Sequence, residues 1–228
     1  MKGYKDFLCM EASKAGFSRV RVLSPFEPGS FFTRGLTLSE NYRSGAKSLL
    51  VCALPYGNRH AVTVPHSVAE IVPGVIAPFA RFNYYREAVK RMKRLSILAR
   101  ARYGGKKSDY RILCNSPVPE KPLAVACGLG VRGRNSMVIC HESGSLFVIA
   151  AMTLPYPLET DPALKAPLPT DWYAVESCPQ FPLCGNCGHG PSETLPCVRA
   201  CPTGAMLGNG RVNLEKCIQW YASGHGAP

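Results

Sequence analysis

Ser48-Leu49-Leu50-Val51-Cys52-Ala53-Leu54 is an unbroken apolar run of strand length, closed by the turn cluster Pro55-Tyr56-Gly57-Asn58. A run without polar alternation suits a strand covered on both faces, so layers of chain must flank it. Upstream, Ser18–Leu23 predicts a second strand. Tyr4, Phe7, Leu8, Ala12 and Ala15 share helical spacing and predict a helix over 4–16 that stops at Gly16. Downstream, residues 82–103 predict the longest helix. Tyr85, Val89, Met92, Leu95 and Ala99 form its expected inner stripe, and Gly104-Gly105 forms its stop. Arg111–Cys114 predicts a short strand and Lys121–Cys127 a short helix. Gly128–Ser136 predicts a glycine-rich loop, and Met137–Cys140 and Leu146–Met152 predict further strands.

Strands interleaved with helices predict an α+β (α/β-like) core over residues 1–154. Pro155, Pro157, Pro162, Pro167 and Pro169 predict an extended connector over 155–171, followed by a small cysteine-rich domain over 172–228. The chain has 228 residues, 46% of them hydrophobic and 18% charged, which excludes a disordered polyelectrolyte. No apolar run approaches the roughly 18 residues of a membrane span, so no membrane partner is expected. Met1–Asp6 lacks an apolar signal core, which predicts a cytoplasmic protein.

The net charge is +12. Between Pro78 and Arg134 there are 14 Lys/Arg against three acids, a local excess of 11. That field over the basic helix, 82–107, predicts either tRNA or another polyanion as partner, or an acidic electron donor of ferredoxin or flavodoxin type.

Eleven cysteines with no signal peptide point to metal or redox chemistry rather than disulfides. Cys9, Cys52, Cys114, Cys127 and Cys140 lie scattered among apolar residues, as small buried side chains do. The other six crowd together as Cys178-x5-Cys184-x2-Cys187-x9-Cys197-x3-Cys201-Pro202, with Cys217 fifteen residues further on. A C-x2-C pair can present two thiolates to one centre. The ending Cys201-Pro202-Thr203-Gly204-Ala205 is similar to the close of a bacterial ferredoxin motif and favours iron–sulfur. A four-thiolate zinc site is the competing reading of the same spacing.

Four stretches, in order, resemble epoxyqueuosine reductase, the cobalamin- and iron–sulfur-dependent enzyme of queuosine biosynthesis in tRNA. They are Ala15-Gly16-Phe17; Leu49–Tyr56; Glu120–Ala124 running into Gly128-Leu129-Gly130 and Gly133-Arg134-Asn135-Ser136; and Cys197–Ala205 with Cys217-Ile218. The resemblance implies a corrinoid-binding domain of nitroreductase and reductive-dehalogenase type, followed by a ferredoxin-like domain whose cluster feeds electrons to cobalt. It places corrinoid contacts at Tyr85, Gly128, Gly130, Gly133, Asn135, Ser136, Val138 and Gln219. Bare glycine backbone would let a flat macrocycle approach.

The chain also departs from that pattern. The family's proton-donating Asp falls at Cys114, which is a catalytic position only if a thiol can serve. Phe79–Arg86 retains only Ala80 and Tyr85 of the matching stretch, and about seven extra residues near Gly188–Pro196 widen the first cysteine motif. Two cubane clusters need eight thiolates. The six at Cys178, Cys184, Cys187, Cys197, Cys201 and Cys217 predict one [4Fe–4S] cluster rather than two, unless the chain is part of a longer one. The function expected is a reductive, corrinoid-assisted reaction. The alternatives are a non-enzymatic electron-transfer or corrinoid-handling accessory protein, and a zinc-stapled nucleic-acid-binding protein.

Overall fold

The computed structural model describes residues 2–24, 45–56, 78–118, 120–140, 143–161, 191 and 195–222. The apolar run forms β2 (Ser48–Pro55), and seven of its eight residues are fully buried. It lies between β1 (Arg19–Leu23) and β6 (Phe147–Leu154), and β3 (Ile112–Leu113) completes the sheet order β1-β2-β6-β3. Every pairing in this sheet is antiparallel. The mixed helix–sheet expectation therefore holds, but as α+β; the α/β-like alternative would need parallel strands.

Alternate β2 side chains enter two different cores, as the two-residue period of a strand requires. Leu50, Cys52 and Leu54 pack on one face against α1 (Lys2–Lys14) and α2 (Tyr84–Tyr103). Leu49, Val51 and Ala53 pack on the other against α3 (Glu120–Ala126) and the strands that follow it. The sheet is thus sandwiched, with β2 and β6 at its centre.

Helix α1 buries Tyr4, Leu8 and Ala12 and ends at Gly16, whose φ of 85° suits a residue without a side chain. Helix α2 is capped by the Asn83 side chain, which accepts from the Arg86 amide at 2.9 Å. Its buried stripe is Tyr84, Ala88, Met92, Leu95 and Ala99. The predicted stripe was therefore out of phase in the first two turns. Tyr84 and Tyr85 are adjacent aromatics, and the inner one is Tyr84, while Tyr85 is 49% exposed.

Edge strand β1 is closed by side chains from the segment after β6. The Val22 amide donates to Asp161 Oδ2 at 2.7 Å and the Ser24 amide to Thr160 Oγ1 at 2.8 Å, while the Asp161 amide donates back to the Val22 carbonyl at 2.9 Å. Lys5 Nζ lies 2.9 Å from Asp161 Oδ1 and ties α1 to the same point.

The loop expected over 128–136 contains a strand that the sequence did not reveal. β4 (Val131–Arg132) pairs antiparallel with β5 (Val138–Ile139) in a small hairpin. Its first strand is two residues long, too short for any periodicity to show. The connector begins as irregular chain through Asp161, and residues 162–171 lie outside the described residues. No helix among the described residues is long and apolar enough to cross a membrane.

Because Leu50 is fully buried at the sheet centre, Leu50→Ala removes packing that the strand backbone cannot collapse to refill. The expected loss is about 2–5 kcal/mol of unfolding free energy, read by chemical denaturation.

Candidate functional site

The helix α3 ends on Gly128, with φ of 69°, where the amides of Gly128 and Leu129 bond back to Val125 and Ala124. The chain then enters the β4–β5 hairpin. A side chain at Gly130 would lie 2.7 Å from both the Ile139 carbonyl oxygen and Val138 Cγ1, and one at Gly133 would lie 2.5 Å from Ile139 Cδ1. The hairpin's own packing thus accounts for these two glycines. Asn135 Oδ1 accepts from the Met137 amide at 3.1 Å, and Ser136 adopts φ of 65° at the turn. Lys121 Nζ donates to the Ser136 carbonyl at 3.0 Å and locks the turn to α3.

A cleft of about 100 Å³ opens beside this hairpin, lined by Tyr85, Glu120, Lys121, Val138 and Ser145 and by the start of β6. The structure brings Tyr85 and Val138, two of the expected cofactor contacts, to one place. It puts the glycines, Asn135 and Ser136 in the hairpin, and leaves Gln219 exposed on the short helix α5 (Ile218–Ala222). Glu120 and Lys121 are cleft residues that the sequence reading passed over. Both stand in the quoted stretch Glu120–Ala124, so the signal was an acid next to a base at a helix start. Burial, with Arg132 second, pulls the Lys121 ammonium below its usual range. Burial first, then Cys114 and Glu120, pushes the Tyr85 phenol up.

Cys114 sits next to this cleft. Its thiol donates to the Ile149 carbonyl at 3.5 Å and lies 3.9 Å from the Tyr85 carbonyl. Burial, reinforced by the Glu120 carboxylate, pushes its pKa up to about 12, so it is a neutral thiol at physiological pH. Glu120 Oε1 is itself occupied by Ser116, whose amide donates at 2.9 Å.

The other chemically distinctive place is the turn after α4 (Pro196–Arg199). Cys197, Cys201 and Cys217 are partly exposed and unpaired. The Cys201 thiol is pulled down to about 7. The Met206 amide is the largest cause, followed by the Thr203 hydroxyl and the amides of Thr203 and Ala205. Such converging N–H donors stabilise a thiolate, the form that binds metal. Cys178, Cys184 and Cys187 lie outside the described residues. Among the described residues no group of three or more His, Cys, Asp or Glu is placed to hold a metal. Of the scattered cysteines, Cys52, Cys127 and Cys140 are buried, as expected of small apolar side chains, while Cys9 and Cys114 are only partly buried.

The two places are fastened together. Arg132, buried on β4, donates through Nη2 to the Gly210 carbonyl. Arg134 Nε donates to the Gly208 carbonyl at 2.6 Å, and the Gly210 amide returns a bond to the Arg134 carbonyl at 3.0 Å. The glycine hairpin is therefore both one wall of the cleft and the clasp that holds the cysteine turn.

No protein-family model matches the chain. Among curated relatives, an epoxyqueuosine reductase from Burkholderia pseudomallei is 28% identical over 157 residues, covering 67% of this chain and 34% of that protein. One from Staphylococcus aureus is 29% identical over 184 residues, covering 79% of this chain and 41% of that protein. The chain thus matches only about a third to two-fifths of these relatives' lengths. Among solved structures, epoxyqueuosine reductase from Streptococcus thermophilus superposes with a TM-score of 0.69 at 18% identity, covering 96% of this chain and 58% of the other. An epoxyqueuosine reductase solved with an epoxyqueuosine-modified tRNA-Tyr stem loop gives 0.63 at the same identity, covering 57% of its chain. Structural likeness at that identity fixes the class: a mixed helix–sheet fold of the kind these reductases have. The sequence matches add the particular statement that, at 28–29% identity, the chain is similar to epoxyqueuosine reductases while diverging from them.

Two outcomes follow. Gly130→Ala forces a side chain against the Ile139 carbonyl and should lower stability by about 1–3 kcal/mol in thermal unfolding. In iron-free, reduced protein, alkylation of Cys201 by iodoacetamide should rise through a midpoint near pH 7, because its lowered pKa makes the thiolate available there. Cys114 should stay unmodified below pH 9, and Thr203→Ala should move the Cys201 midpoint upward, as read by peptide mass spectrometry.

Proposed function

We propose that this chain is an iron–sulfur reductase-type protein. It would hold one [4Fe–4S] cluster on thiolates drawn from Cys178, Cys184, Cys187, Cys197, Cys201 and Cys217, and serve a reductive reaction at the Tyr85–Glu120 cleft. The observation that carries the reading is the partly exposed Cys201, whose thiol is drawn toward thiolate by neighbouring donors, among them the Thr203 hydroxyl at 3.7 Å. Donors of this kind tune the potential of iron–sulfur clusters and favour the deprotonated ligand. The cluster would supply single electrons. The division into residues 1–154, a connector over 155–171 and a ferredoxin-like unit over 172–228 belongs to the same proposal, as does electron supply by an acidic ferredoxin or flavodoxin.

The chain's own residues have definite tasks in this reading. Lys121 and Tyr85 offer hydrogen-bond donors to a substrate oxygen in the cleft, and Glu120 offers a carboxylate beside them. Arg132 and Arg134 keep the cysteine turn against the cleft wall. The hairpin itself fills the space beside Gly130 and Gly133. The cobalamin part of the proposal therefore stands on the family resemblance, and no step is derived through it. A tRNA substrate stands on the same resemblance, with the basic helix able to contact phosphates.

A second reading, an accessory electron-transfer protein without its own reaction, is favoured by Cys114. A thiol held near 12 is a poor acid at the position where the family has its proton donor.

Anaerobic purification with iron, sulfide and zinc analysis tests the proposal. About four iron and four sulfide per chain are expected, with a broad visible absorbance that air bleaches. Cys201→Ser and Cys197→Ser should each lose most of the iron. Colourless protein carrying zinc would establish the zinc-stapled alternative instead.

A further inference from the structure

Among the described residues, the outer face of α2 is left exposed. Packing takes Tyr84, Ala88, Met92, Leu95 and Ala99, leaving Arg86, Lys90, Lys93 and Arg94 on the exposed side, followed by Ile97 and Leu98 at 56% and 45% exposure. These six positions run along one side of the helix as a basic half and an apolar half. Next to them lies a groove of about 480 Å³ between α2 and the end of α1, walled by Leu98 and Arg94 on one side and by Glu11, Lys14 and Gly16 on the other.

The charges in this groove are already sorted. Arg91 is spent inside the protein, with Nε 2.8 Å from Glu87 Oε1 and Nη1 2.7 Å from the Ala15 carbonyl. Lys14 pairs with Glu11 at 2.8 Å. Among the described residues, Arg86, Lys90, Lys93 and Arg94 form no ion pair. Four unpaired cations beside two exposed aliphatic side chains ask for a partner that is both acidic and apolar.

We propose that this face and groove dock an acidic protein, an electron carrier whose carboxylates meet Arg86, Lys90, Lys93 and Arg94 and whose apolar tip covers Ile97 and Leu98. The inference rests on the reading that the chain receives electrons, and it assigns the surface through which they arrive. A protein is favoured over RNA because phosphates have no use for Ile97 and Leu98.

The test uses anaerobically purified full chain with its iron content measured first. The probes are an acidic bacterial ferredoxin and an RNA stem-loop, each followed by fluorescence anisotropy at low and moderate salt. Saturable ferredoxin binding is expected, weakened at least tenfold by Lys90→Glu with Arg94→Glu and also by Ile97→Ser with Leu98→Ser. The second pair should leave any RNA binding unchanged, and circular dichroism confirms that both pairs stay folded. Iron-loaded protein that ignores ferredoxin, or ferredoxin binding indifferent to both variant pairs, overturns the docking proposal alone. RNA binding that depends on the four cations, with no ferredoxin binding, reassigns the face to nucleic acid. Iron-free protein instead overturns the electron-receiving reading on which the proposal rests.

Discussion

The whole structure depends on β2 being unable to face water on either side. Its backbone is paired along both edges, with β1 on one side and β6 on the other, and its side chains enter two separate cores. A strand so placed demands helices above and below, which is why α1 and α2 stack on one face and α3 on the other. The chemistry follows from that demand. The α3 layer places Glu120 and Lys121 at one mouth of the sheet, and the α2 layer brings Tyr85 to the same mouth from the opposite face.

Most of this was legible because burial leaves a periodic trace. Ser48–Leu54 announced a doubly covered strand, and Gly16 and Gly104 marked helix ends that the backbone confirms. The α2 stripe slipped by one residue at its start because Tyr84 and Tyr85 are equally apolar to a periodicity argument. Only the cap at Asn83 and packing against Tyr56 decide between them, with those rings 5.2 Å apart at Tyr84. The β4–β5 hairpin was hidden for a different reason. Two-residue strands have no period, and glycines kept small for internal packing look like glycines kept small for a ligand.

The candidate site was legible in type more than in arrangement. Cysteine spacing marked the turn at Cys201, but its special property comes from backbone amides several residues downstream, which no side-chain pattern displays. The contribution of Arg132 and Arg134 was equally hidden, since both act through carbonyls of Gly208 and Gly210. Through them, a disturbance of the cysteine turn would be felt at the wall of the cleft, because the same short hairpin serves both.

The closure of β1 by Thr160 and Asp161 has a consequence for how the molecule meets its own copies. Where the Val22 and Ser24 backbone groups on this margin are already bonded, they offer no template for an added strand. With Lys5 holding the Asp161 carboxylate in place, that margin is sealed by charge as well as by hydrogen bonds. Intermolecular strand exchange and fibrillar stacking are thereby discouraged along this side, which protects a molecule whose central strands are among its most apolar segments.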